Sequence, residues 1–168
     1  MALSRAGLHD RRHGRGRGDD GAALVEFAIL APLLFLILFG VVEFGWAFYQ
    51  NIDVRHGSRE VGRLAAVNYR TSSAVVGALQ TTALVNEACT RMDAPKNTTV
   101  KLSVSDSNSD GTVGSIGDTI TVVVSKPLDQ LTGFLDLFLH GKTLTSTVQM
   151  RAEQTITWSS NGAGQTCP

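Results

Sequence analysis

A carboxylate at position 26 stands inside a run that otherwise reads as membrane. From Phe27 to Val42 no residue is charged, and between Ala22 and Tyr49 only Glu26 and Glu43 interrupt the apolar character. As a helix, the stretch from Ala22 to Tyr49 is about 42 Å long, more than the roughly 30 Å hydrocarbon core of a bilayer. An acid near one end of such a segment demands a partner cation or an interface, which makes Glu26 a functional candidate. Glu43 lies at the other end, among Phe44, Trp46, Phe48 and Tyr49. That grouping reads as an interfacial aromatic belt, where a carboxylate costs little. The two acids are about 100° apart around the helix, so one partner cannot serve both.

Three further groups of residues have types that do chemistry. Asp106-Ser-Asn108-Ser-Asp110-Gly111 matches the first half of a calcium loop, but Gly117 stands where the bidentate Glu belongs. Asp, Asn, Ser and Gly in one cluster are also the ordinary material of a hairpin turn, and the turn is the expectation here. Cys89 and Cys167 permit one disulfide in an oxidising compartment, worth about 2–4 kcal/mol. The alternative is a buried thiol at Cys89 and an exposed one near the C-terminus. His9, His13, His56 and His140 are scattered, and no HExxH, GxSxG, Walker or CxxC pattern occurs. Gly16–Gly21 satisfies the dinucleotide glycine spacing, but no strand precedes it and a membrane helix follows, so the match is rejected. No cofactor is called for, and the reading is not that of an enzyme.

The elements that would position these residues follow from periodicity. Residues 1–21 carry Arg5, Arg11, Arg12, Arg15 and Arg17 against Asp10, Asp19 and Asp20, a basic and Gly-rich leader expected to be disordered. Its place before a membrane span predicts a cytoplasmic N-terminus and argues against nucleic acid as its partner. Residues 22–49 form the transmembrane helix, locally disturbed by Pro32. The helix is expected to run on past the membrane, with Ile52, Val54, Val61, Leu64, Ala65 and Asn68 on one face. A second helix is predicted from Ser72 or Ser73 to Met92, capped by one of those serines, with Val75, Leu79, Thr82, Ala83, Val85, Ala88, Cys89 and Met92 inward.

Beyond Asp93–Asn97 the period becomes two. Val100-Leu102-Val104, Ile120-Val122-Val124 and Leu144-Ser146-Val148-Met150-Ala152 mark three strands, the last extending toward Trp158. The loop at 106–117 joins the first two as an antiparallel hairpin, and Leu128–Leu139 reads as a short helix or packed loop. The expected fold is α+β: an N-terminal transmembrane helix continuing into an extracytoplasmic domain at 50–158, with one further helix and a three-stranded antiparallel sheet. Residues 159–168 are expected as a flexible tail.

Gly21, a small apolar stretch, Glu26 at the fifth position and Phe27 at the sixth resemble the processing site of type IV prepilins. The fuller run from Gly21 to Gly45 is similar to the TadE-like minor pilins, or pseudopilins, of the tight-adherence system, with a weaker echo over Leu144–Glu153, whose Met150–Glu153 resembles the family's closing strand. The resemblance implies cleavage between Gly21 and Ala22 by a prepilin peptidase. It also implies pairing of Glu26 with the new amine of a neighbouring subunit, and a structural role in pilus biogenesis, adhesion or secretion. The implied partners are the lipid bilayer, the peptidase, other pilin subunits and the assembly machinery, with the protein in the cytoplasmic membrane. The alternative is an unprocessed single-pass envelope scaffold or adhesin.

Overall fold

The computed structural model describes residues 17–133 and 136–168, and their side chains from residue 21 onward apart from 137 and 138. Helix α1 runs unbroken over Arg17–Ala66, with Pro32 inside it. It therefore begins ahead of the expected start near Ala22 and takes in residues 17–20 of the leader. The rest of the leader, with Arg5, Arg11, Arg12 and Arg15, lies outside the described residues.

The chain divides into one unit ending at Leu38 and a second spanning Phe39–Pro168. In the first, every large apolar side chain from Leu24 to Leu38 is at least half exposed. A helix apolar all round and exposed all round is built for lipid or for other helices, not for an aqueous surface. Among the described residues, one helix is long and apolar enough to cross a membrane, which fits a single-pass protein.

In the second unit α1 becomes one-sided. Glu43, Gln50, Val54, Gly57, Val61, Leu64 and Asn68 are buried, at alternating spacings of three to seven residues that keep one face inward. Ile52, expected on that face, is 67 % exposed. Two helix glycines cost about 1 kcal/mol each relative to alanine, and both buy close contact. A Cβ at Gly57 would stand 2.7 Å from Met92 Sδ, and one at Gly62 would stand 3.0 Å from Met150 Sδ. The helix ends at Ala66, and Asn68, with a positive φ of 51°, turns the chain just beyond it. Asn68 N–H bonds Ala65 O and Tyr69 N–H bonds Leu64 O, the paired closure of a Schellman motif.

Helix α2 covers Gly77–Thr90, starting later than either serine. Its N-cap is Val76, with no side-chain cap; instead Gly77 N–H bonds Thr157 O at 2.7 Å, so a distant segment sets the first turn. The inward face is Gln80, Thr81, Leu84, Val85, Ala88 and Cys89. Leu79 is 72 % exposed and Thr82 is exposed, a correction to the expected face. The cause is Gln80, drawn inside by Asn68: its Nε2 donates to Asn68 Oδ1 at 2.8 Å and to Tyr69 O at 3.1 Å. Thr157 completes that buried polar knot, bonding Gln80 Oε1 at 2.6 Å. Glu60 of α1 ties α2 down from the outside through Arg91, which also meets Glu87. Hydrogen bonds from Arg63 and then Arg91 hold the Glu60 carboxyl below the ordinary glutamate range, against the opposing effect of its partial burial.

The sheet has β1 (Thr99–Ser105), β2 (Thr119–Pro127), β3 (Thr143–Arg151) and a two-residue β4 (Gln165–Thr166), in the order β3-β2-β1-β4. The β1–β2 hairpin and the β2–β3 pair are antiparallel in continuous register. Val100, Leu102, Ile120, Val122 and Val124 are buried, joining Val54, Val61, Leu84, Val85 and Trp158 in one core. Between β2 and β3 lies the four-residue helix α3 (Asp136–Leu139). β3 stops at Arg151 rather than running to Trp158, because the next backbone groups go elsewhere: Glu153 N–H bonds Ala66 O. Trp158 is buried and its indole N–H bonds Ala65 O at 3.2 Å.

The last ten residues supply a fourth strand where a flexible tail was expected. β4 pairs with Thr99 and Val100, and Asn161 extends the pairing. Asn161 N–H bonds Leu102 O, its Oδ1 accepts from Leu102 N–H at 2.6 Å, and its Nδ2 donates to Val100 O at 3.2 Å. Without this segment, β1 would present an open edge.

Candidate functional site

The residues singled out by the prepilin-like pattern lie at the start of α1. Gly21, Ala22, Glu26 and Phe27 are all exposed, Phe27 at 62 %. A Cβ built on Gly21 meets no atom within 4 Å. No side chain or backbone group among the described residues bonds the Glu26 carboxylate. The carboxylate therefore stands on an apolar helix surface with its hydrogen-bonding capacity unused, a condition that a second molecule or an interface must relieve in a membrane.

Glu43, read from the sequence as an interfacial carboxylate, is engaged by the chain's own loop. It is 1 % exposed. Its Oε1 accepts from Leu131 N–H at 3.0 Å, and its Oε2 accepts from Thr132 N–H at 3.0 Å and from the Thr132 hydroxyl at 2.6 Å. Two turns further along, Gln50 exchanges two bonds with Asp129: Nε2 to Asp129 O at 2.7 Å, and Asp129 N–H to Oε1 at 3.0 Å. Asp53 then accepts from Asp93 N–H at 3.0 Å and from Ala94 N–H at 3.1 Å. Lys126, 2 % exposed, donates to Ala94 O at 2.8 Å. Higher still, the Ser58 and Ser146 hydroxyls lie 2.8 Å apart.

These side chains form a polar seam on one face of α1. Residues seven apart return to nearly the same angle, so Glu43, Gln50 and the Asp53–Val54 pair look the same way. Glu43, Gln50 and Asp53 satisfy backbone groups that a loop would otherwise leave unpaired against the helix. The seam thereby fixes the chain at 93–94 and 128–132 over about 15 Å of α1. Sequence reasoning assigned Gln50, Asp53 and Lys126 no role. For Gln50 and Asp53 the signal available was spacing, which continues the buried positions Val54, Gly57, Val61 and Leu64 backward along the helix; Lys126, on β2, had none.

The Asp106 loop spends its acids on its own backbone. Asp106 accepts from Ser109 N–H at 2.7 Å and Gly111 N–H at 3.0 Å, and Asp110 accepts from Thr112 N–H at 2.7 Å. Asn108 Nδ2 donates to Asp110 Oδ2, to Ser115 Oγ and to Ile116 O. Asp118, fully buried, accepts from Ser107, Gly114 and Ser115 N–H groups. Among the described residues no group of three His, Cys, Asp or Glu is placed to hold a metal ion.

Cys89 on α2 and Cys167 beyond β4 are joined in a disulfide, their Cα atoms 5.7 Å apart. Both are buried. The bond fastens the β4 segment to α2.

Compared with known proteins, residues 21–63 match the family model described as TadE-like protein. The match covers the apolar part of α1 and its seam up to Arg63, and leaves α2 and the whole sheet outside it. No curated protein matches the chain, and no solved structure matches it.

Proposed function

We propose that this chain, whose residues 21–63 carry a TadE-like segment and so point to a Tad pilus-related protein, acts as a minor pilin or pseudopilin. A prepilin peptidase cuts after Gly21 on the cytoplasmic face, and the mature subunit begins at Ala22. The helix anchors it in the cytoplasmic membrane, with the α+β domain outside. In an assembled fibre, Glu26 pairs with the Ala22 amine of a neighbouring subunit, and Phe27 lies in the packed helical interface. Its role is structural, in pilus biogenesis, adhesion or secretion, with other pilin subunits and the assembly machinery as partners.

The observation that carries this reading is Glu26 itself, exposed and unbonded within the matched segment. In a low-dielectric bundle, an ammonium–carboxylate pair is far stronger than in water and fixes subunit register, while either charge alone is heavily penalised. The seam supports a shorter membrane span than 22–49. Glu43 is committed to Leu131 and Thr132 of the folded domain, so the hydrocarbon ends near Val42. Ala22–Val42 is about 31 Å of helix, the thickness of the core.

Glu26→Gln tests the proposal. The expected result is normal membrane insertion and folding with assembled subunit reduced at least tenfold, read as the fraction of protein sheared from cells with the filaments. Assembly at the level of the unaltered chain contradicts the pairing and favours an unprocessed single-pass scaffold or adhesin.

A further inference from the structure

The two edges of the sheet are treated differently. β1's outer edge is covered by the chain's own Asn161 and β4, and that cover is locked by the Cys89–Cys167 bond. β3 forms the other edge. It is nine residues long, paired with β2 in unbroken register from Thr143 to Arg151, without bulge or proline, and its one charge sits at its very end. Among the described residues no backbone group pairs with β3 on its outer side. Long, flat, uncharged edges are what folded proteins ordinarily avoid, because they recruit strands.

Beside this edge run Arg55 and Arg59 of α1, lining a groove with Thr145, Ser146, Thr147 and Val148. Four consecutive strand residues alternate between sheet faces, so a groove touching all four lies at the edge itself. Both arginines are exposed, and no described carboxylate or other acceptor bonds either of them. The groove continues toward the start of the domain as an apolar trough lined by Phe44, Ala47, Phe48 and Leu144.

We propose that the β3 edge is a docking site for an extended, acidic segment of a partner protein, added as a fifth strand. Arg55 and Arg59 are four residues apart on a helix, hence about 6 Å along it. Same-face residues of a strand are about 6.6 Å apart. A segment carrying acid-x-acid on its α1-facing side therefore meets both guanidinium groups in register, with apolar residues of the same face reaching Phe44 and Phe48. A second copy of this chain fits poorly, because β3 paired with β3 offers no carboxylate and brings two Arg55–Arg59 pairs together. Strand addition supplies main-chain affinity while the side-chain pockets select the partner. The proposal is independent of processing at Gly21, so either can fail alone.

The test uses the full chain in non-ionic micelles and a fluorescein-labelled nine-residue peptide. The peptide alternates Thr with Val, Val, Asp and Asp; a control has Asn for both Asp. The expected result is binding of the Asp peptide with slowed amide exchange across residues 143–151, and about tenfold weaker binding of the Asn peptide. Two surface ion pairs are worth about that factor. The doubly substituted Arg55→Ser/Arg59→Ser chain, still folded because both side chains are exposed, loses the same factor, and the Arg55→Lys/Arg59→Lys chain recovers part of it. Absence of binding, equal binding of the two peptides, no loss on serine substitution, or protection elsewhere than 143–151 overturns it. So does binding of phosphatidylglycerol-containing vesicles through the arginine pair with no binding of the peptide.

Discussion

Glu43→Ala is expected to lower the stability of the folded domain by about 2–3 kcal/mol. The carboxylate accepts three hydrogen bonds, from Leu131 N–H, Thr132 N–H and the Thr132 hydroxyl. Hydrogen bonds to a charged group are worth more than neutral ones, and a donor stranded against a helix carries a desolvation cost. Leu131 and Thr132 are themselves exposed, so water recovers part of the loss and keeps the figure below the cost of a sealed site. Glu43→Gln retains one acceptor and should fall about midway. Urea unfolding of the full chain in micelles reads the difference, and amide exchange at residues 128–133 should rise before global unfolding. A change under about 0.5 kcal/mol for the alanine variant would show that the clamp contributes little.

Removing the disulfide should have an effect of similar size. Cys89 and Cys167 are 78 positions apart, and the chain-entropy account of so large a closed loop gives about 4.5 kcal/mol as a ceiling, with about 2–4 the usual outcome. Two consequences follow from its position. Cys167→Ser, or dithiothreitol on the unaltered chain, destabilises the domain by that amount. It also frees residues 159–168, because β4 is only two residues long and its pairing with Thr99 and Val100 is too short to hold alone. Faster exchange at Leu102 N–H, bonded to Asn161, is the local reading. Reduction that leaves both stability and exchange unchanged would contradict the role assigned to the bond.

How much was legible in the sequence follows from what each segment's pattern encodes. The strands were readable because Val100-Leu102, Ile120-Val122-Val124 and Leu144-Ser146-Val148-Met150 recur with a period of two, although Val123 and Ser146 break the apolar–polar alternation, and the hairpin register follows once the loop is placed. The apolar run of α1 was readable by composition alone. The second helix was misplaced by a few residues because its start is set by Thr157 O, eighty residues on, and not by a local serine. Its face was misjudged because hydropathy counted Leu79 inward and Gln80 outward, and a hydrogen-bonding partner reversed them. β4 was missed for the same reason: two residues carry no period, and only the disulfide and Asn161 make them a strand.

The candidate site was half legible. Gly21, Ala22, Glu26 and Phe27 are visible as a linear pattern, which is how a peptidase would meet them. The seam was not, since Glu43, Gln50 and Asp53 look like interruptions of an apolar face until the loops they satisfy are known. Read by spacing alone, 43, 50, 54, 57, 61, 64 and 68 fall on one stripe, and the buried polar members mark where backbone must be met rather than hydrocarbon.

The most direct test of the pilin assignment is the N-terminal residue of the protein isolated from its native membranes. The account predicts Ala22, exposing the amine that Glu26 is proposed to bind. A mature chain beginning at Met1 or Ala2 would contradict it and leave a signal-anchored envelope protein whose carboxylate at 26 serves some other end.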